Sequence, residues 1–144
     1  MSGFFSALDI SGSGMSAERL RMEITANNIA NAGTTRTENG DPYRRQAVVF
    51  SSVLSKESGL ADTERLQGVK AVGIEPDSTE FPVVYNPGHP HADAQGMVRL
   101  SNVKIPHEMV DLITSSRSYE ANAKAVSLFK EMVEQTLNLL QGAR

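Results

Sequence analysis

Residues 106–141 read PHEMVDLITSSRSYEANAKAVSLFKEMVEQTLNLLQ, and their spacing decides the fold. Met109, Leu112, Ser116, Tyr119, Ala123, Val126, Lys130, Val133, Leu137 and Leu140 fall at alternating steps of three and four, with Ser116 and Lys130 the only polar members. Sustained 3-4 spacing is the pattern of a helix that packs along another helix. Pro106 suits a first helical turn and Gly142 a stop. Some 35 residues at 1.5 Å each make a rod of about 50 Å. A second stripe, Ala121, Ala125, Leu128, Met132 and Leu139 with Phe129, runs beside the first. The apolar surface is therefore wider than one partner helix covers.

Working outward, residues 5–32 predict a second helix. Leu8, Met15, Met22 and Ile29 recur every seven residues, and Ile10, Ala17, Leu20 and Ile24 form a neighbouring seam. Ser6 with Asp9 reads as a capping box, Gly12 and Gly14 weaken the first turns by roughly 1 kcal/mol each, and Gly33 is placed as a C-cap. The stretch between the helices holds five of the six prolines and half of the aromatics, too many breakers for long helices. Short strands are expected at 43–50, 69–75, 81–85 and 97–103, joined by loops at 35–42, 55–68 and 86–96. The expected fold is α+β, with long terminal helices packing as a coiled coil around a small inserted β-rich module. The expected divisions are 1–33, 34–105 and 106–144. The two helices cannot cover all of each other's apolar seams, which implies further subunits.

Composition removes several function classes. The 144 residues carry 14 Lys plus Arg against 17 Asp plus Glu, and each of the three divisions has one more acidic than basic group. No basic stripe exists for nucleic acid or an anionic membrane. No run approaches the ~18 apolar residues of a membrane span. The absence of cysteine removes disulfides, thiolate metal sites and a cysteine nucleophile together. The apolar start, Phe4, Phe5 and Leu8, is broken by Asp9 with no preceding Lys or Arg, a poor match to a cleaved secretory leader.

Catalytic patterns are equally sparse. His89, His91 and Asp93 are the ligand types of a 2-His-1-carboxylate metal site, but they alternate around Pro90 on a turn, and a solvated turn is the preferred reading. His107, beside Pro106, is expected to face solvent. There is no G-x-S-x-G elbow and no phosphate loop at Gly12-Ser13-Gly14. Arg44-Arg45 reads as the exposed side of a strand. The expectation is no catalytic group, no metal and no cofactor.

One run is physically odd. Ala26-Asn27-Asn28-Ile29-Ala30-Asn31-Ala32 sets three asparagines at the end of a helix, where Asn is a mediocre former. It is either a fraying end or a set of interfacial amides that fixes register between packed helices. The same choice applies to Arg117-Ser118-Tyr119-Glu120-Ala121-Asn122.

These two runs carry a resemblance. ANNIANA, the following TTRTENGDPYRRQ (residues 34–46), VYNPGHPHADAQG (84–96), Asn102-Val103 with Glu108-Met109-Val110-Asp111-Leu112, and RSYEAN (117–122) together resemble the bacterial flagellar rod and hook proteins, the proximal-rod members in particular. The resemblance covers nearly the whole chain in order. It implies a non-enzymatic subunit of the basal-body rod that crosses the periplasm, with the terminal helices as inner coiled-coil layers of a tube and other rod proteins as neighbours. It also implies export through the flagellar type III apparatus, with information near Phe4, Phe5, Leu8 and Ile10. On this reading Leu8, Met15, Met22, Ile29, Asn27, Asn28, Asn31, Met109, Leu112, Tyr119, Val126, Val133 and Leu137 form the assembly interface. The alternatives are a metal-dependent enzyme using His89, His91 and Asp93, and a free-standing coiled-coil adaptor.

Overall fold

The structure, a computed structural model, describes the backbone of residues 2–56 and 64–142 and the side chains of 7–54 and 67–139. The side chains of Phe4, Phe5, Ser6 and Leu140 and the tip at 57–63 lie outside the described residues. Helix α1 spans Ser2–Ala30 and helix α2 spans Ile105–Gly142. Between them come β1 (Gln46–Lys56), β2 (Glu64–Pro76), β3 (Val83–Tyr85) and β4 (Met97–Arg99). This is the expected α+β layout, with two two-stranded sheets, β1-β2 and β3-β4, between the helices.

Several boundaries differ from the sequence reading. Helix α1 begins at Ser2, so Ser6 and Asp9 lie inside it rather than at its cap. Ser13 and Ser16 hydroxyls donate to the carbonyls of Ile10 and Gly12, which lets serines stay within the helix. Gly33 is no left-handed cap, since the described glycines with positive φ are Gly40, Gly68 and Gly96. The helix instead ends in turns closed by Ala32 N–H to Ile29 O and Thr34 N–H to Asn31 O. Within the loop expected at 55–68, the described residues 55–56 and 64–68 are strand, because β1 continues to Lys56 and β2 begins at Glu64. Conversely, β3 and β4 are only three residues each. Pro106 stands in the first turn of α2, as the spacing suggested.

The chain divides into two compact units. One comprises residues 1–19, 50–72 and 115–144, the other 20–49 and 73–114. In the first, Gly68 adopts φ +115°, and Val69 N–H donates to Ser13 Oγ at 3.1 Å. A Cβ at Gly68 would collide with that hydroxyl. Gly68→Ala should therefore combine a disfavoured φ with a clash, costing on the order of 1–3 kcal/mol, read as a lowered melting temperature with unchanged helix content. In the second unit, β3 and β4 pair antiparallel with Val84 opposite Val98, which is buried.

Candidate functional site

The most buried side chains of the described residues are polar. Glu108 and Ser115 are 0% exposed and Asn28 is 1%, with Thr25, Ser101 and Asn102 close behind. Ala17 and Val98 are the buried hydrophobics. Large apolar side chains are instead outside: Met109, Val110, Ile113, Leu128, Met132, Val133, Leu137 and Leu139 on α2 are all exposed.

Asn28, in the second unit, organises the polar cluster. Its Nδ2 donates to Gln46 O and to Glu108 Oε2, both at 2.8 Å. Its Oδ1 accepts from Gln46 N–H and from the Tyr43 hydroxyl, both at 3.0 Å. Two donors and two acceptor positions are thereby filled, the full capacity of a carboxamide. Gln46 opens β1, so the amide ties the start of that strand to α1 and, through Glu108, to α2. Asn28 is thus a buried, fully bonded amide where α1 meets the start of β1 and Glu108. Asn27 and Asn31 do something else: Asn31 Nδ2 donates to Asn27 Oδ1 at 2.6 Å on the surface side of the helix end.

Glu108 receives a second donor from Arg45 Nε at 2.6 Å. The same guanidinium reaches Asp111 at 3.3 Å and Asp77 at 3.6 Å. Arg45 is therefore not the free outer side of a strand, as the sequence suggested, but the shared cation of three carboxylates. Burial alone would lower its pKa; the hydrogen bond and charge of Glu108, with Asp77 and Asp111, outweigh that and raise it. The Tyr43 phenol is also raised, by burial first and then by the Glu108 charge. Asn102 acts as a second organising amide, accepting from Arg45 N–H at 2.7 Å and donating to Thr79 O at 3.2 Å. Sequence alone assigns Glu108, Tyr43, Asn102 and Asp77 no site role and sets Arg45 on an exposed side, because isolated polar residues at strand and helix starts carry no periodic signal.

The Asp77 carboxyl sits below its usual pKa, mainly through the hydroxyl and amide of Thr79, with Arg45 and Arg44 adding to it. A depressed folded-state value stabilises above the unfolded carboxylate range near 4, and the contribution disappears as pH falls through the lower folded value. Asp77→Asn should therefore flatten the acid limb of the stability curve below about pH 4, measured by urea unfolding at stepped pH.

The His89, His91 and Asp93 turn uses its polar atoms internally. His91 N–H donates to His89 Nδ1, the His91 ring pairs with Thr35 Oγ1 at 2.8 Å, and Asp93 Oδ1 accepts from the amides of Gln95 and Met97. Among the described residues no three His, Cys, Asp or Glu side chains gather as a metal site. The expected assembly residues are distributed differently: Leu8, Met15, Met22, Ile29, Leu112, Tyr119 and Val126 are half-buried, whereas Met109, Val133 and Leu137 are exposed. No described helix is long and apolar enough to cross a membrane.

Two long helices flank a β module in the chain order, with buried polar side chains and large exposed apolar side chains on α2. Comparison with known proteins then gives the family. The family described as flagella basal body rod protein matches residues 8–36, and the flagellar basal body rod FlgEFG protein C-terminal family matches residues 94–139. The chain is 38% identical to the flagellar basal-body rod protein FlgC of Borreliella burgdorferi, over 97% of this chain and 99% of that one. It is 43% identical to the FlgC of Aquifex aeolicus over 94% and 96%, and 40% to that of Bacillus subtilis over 94% and 97%. The chain belongs to the FlgC family of flagellar basal-body rod proteins. The two family matches contain Asn28 and Glu108, the two ends of one buried hydrogen bond.

Proposed function

We infer that the chain is a structural, non-enzymatic subunit of the flagellar basal-body rod, assembling with other rod components into the shaft that carries torque. The observation that carries this reading is the inversion of burial: polar groups fill the contacts within the chain, and the large apolar side chains of α2 stand open. An isolated protein does not ordinarily present such a surface without a partner. A heterologous, non-closing contact through it generates a helical array.

Finer features belong to the same proposal. The subunit occupies the proximal part of the periplasm-spanning rod. Its terminal helices pack there as coiled-coil layers, through Leu8, Met15, Met22 and Ile29 on α1 and Met109, Leu112, Tyr119, Val126, Val133 and Leu137 on α2, with Asn27, Asn28 and Asn31 at the helix end. The three divisions 1–33, 34–105 and 106–144 are the helical, β-rich and helical parts of that subunit. It leaves the cytoplasm through the flagellar type III apparatus, and Phe4, Phe5, Leu8 and Ile10 contribute the export signal. The broken apolar pattern around Asp9 supports that route.

Deletion of the gene tests the function. Cells without it should be non-motile and lack completed rods, and complementation should return the intact chain to purified basal bodies. Motile cells with complete rods would refute the proposal. Replacing both His89 and His91 by Ala should leave motility unchanged, whereas the metal-enzyme alternative requires its loss.

A further inference from the structure

Residues 37–41, TENGD, form a tight turn within the second unit. Thr37 N–H donates to Asp41 O at 2.8 Å and Gly40 N–H donates to Thr37 O at 2.9 Å, while the Thr37 hydroxyl adds a bond to Asp41 O at 2.9 Å. Gly40 takes φ +87°. A three-residue hairpin loop closed in this way needs a left-handed residue at its last position, which selects glycine. The residue before it is Asn39, exposed to solvent. The demands of the turn thus produce the only Asn-Gly pair in the sequence.

An asparagine followed by glycine is chemically exposed, because glycine has no side chain to obstruct the approach of its own nitrogen to the neighbouring amide carbon. In that reaction the Gly40 nitrogen gives its proton to solvent base and bonds to Asn39 Cγ. The Cγ–Nδ2 bond breaks and ammonia leaves, closing a five-membered succinimide. Water then opens either ring carbonyl, giving aspartate or isoaspartate, with no oxidant or reductant involved. The surroundings leave room for the ring, since a Cβ built at Gly40 would meet nothing within 4 Å beyond its chain neighbours. The restraint is the bond from Gly40 N–H to Thr37 O, which has to open before the nitrogen can attack.

We infer that Asn39 is a site of spontaneous deamidation, slowed but not silenced by the turn that displays it. The isoaspartate product routes the main chain through the side-chain carbon, which lengthens a turn closed by hydrogen bonds at both Thr37 and Asp41. It also sets a new carboxylate two residues from Asp41, whose own carboxylate pairs with Arg99 of β4 at 2.9 Å. The modification therefore loosens the tie between this turn and β4. It concerns the chemical ageing of the chain and holds whether or not the rod reading does.

Arg36 and Arg44 bracket the turn, so trypsin releases it as residues 37–44. The purified full chain, held at mildly alkaline pH with and without guanidinium chloride, is digested at intervals and followed by mass spectrometry. In the folded chain Asn39 should exchange its amide for an acid ahead of the other asparagines, giving a mixture of aspartate and isoaspartate. Conversion should run about fivefold faster in denaturant, the factor that one hydrogen bond of ordinary strength commands. Thr37→Val, which removes only the hydroxyl bond, should fall between the two rates, and Asn39→Gln should stop the reaction. Asn39→Asp, carrying the charge without the lengthened backbone, should melt with the parent chain, whereas the separated isoaspartyl form should melt lower. An Asn39 that stays intact in the folded chain while other asparagines convert, or that converts equally fast with and without denaturant, would overturn the inference.

Discussion

Replacing Asn28 by Asp should leave the protein close to native stability at pH 5 and weaken it markedly as the pH rises to 8. The amide nitrogen now donates to Glu108 Oε2 at 2.8 Å. In the variant, a second carboxyl group takes its place against a side chain that is 0% exposed. Two carboxylates in contact in a dry site share one proton, which raises the folded-state pKa of the pair above the unfolded range near 4. The sign follows: a raised folded value stabilises at low pH, and that stability is lost as pH climbs through it. At pH 8 the penalty is about 3 kcal/mol, the lower end for an uncompensated buried charge, because Arg45 supplies partial compensation. For a domain of this size that is a drop of roughly 10 °C in melting temperature. Adding Glu108→Gln should abolish the pH dependence, whatever the absolute stability of the double variant. Melting curves that superimpose between pH 5 and 8 for the single variant would show that the cluster is not closed as described.

Val133→Asp should have the opposite distribution of effects. Val133 is 37% exposed on α2, so a carboxylate there meets solvent in the isolated chain and should change its stability by no more than about 0.5 kcal/mol. In an assembled shaft the same position lies on the continued 3-4 stripe, where a charge would be desolvated without a partner at a cost of several kcal/mol per contact. The expected result is a folded, exported protein, incomplete rods and non-motile cells. Normal rods and motility would remove Val133 from the interface.

Set against these expectations, the sequence was most informative about the α+β layout and least informative about the chain's own interior. The terminal helices and the interrupted middle were legible from spacing and prolines. Periodicity on α2 pointed to the Met109, Tyr119, Val126 and Val133 stripe, yet the fully buried side chains of that helix are Glu108 and Ser115. The reason is physical. Hydrophobic periodicity records which faces are suited to burial in some state, and in a subunit left open on one side that state need not be the isolated fold. Asn28 could be singled out because Asn is costly inside a helix without a reason to be there. Its partners Tyr43, Gln46 and Glu108 could not, since each is ordinary in its local context. Strand lengths in β1 and β2 were underestimated for a similar cause: polar residues such as Ser51, Ser52 and Gln67 interrupt the alternation, while backbone pairing continues through them.

Single cysteines at Met132 and Leu139 allow the open-face arrangement to be tested directly, because the chain has no other thiol to label. Both positions are exposed on α2, Leu139 at 76%. Maleimide labelling of the purified chain should be rapid at both sites, and labelling of the same variants in intact, motile basal bodies should be strongly suppressed. Equal labelling rates in the free chain and in the assembled rod would mean that these apolar faces are not what holds the shaft together.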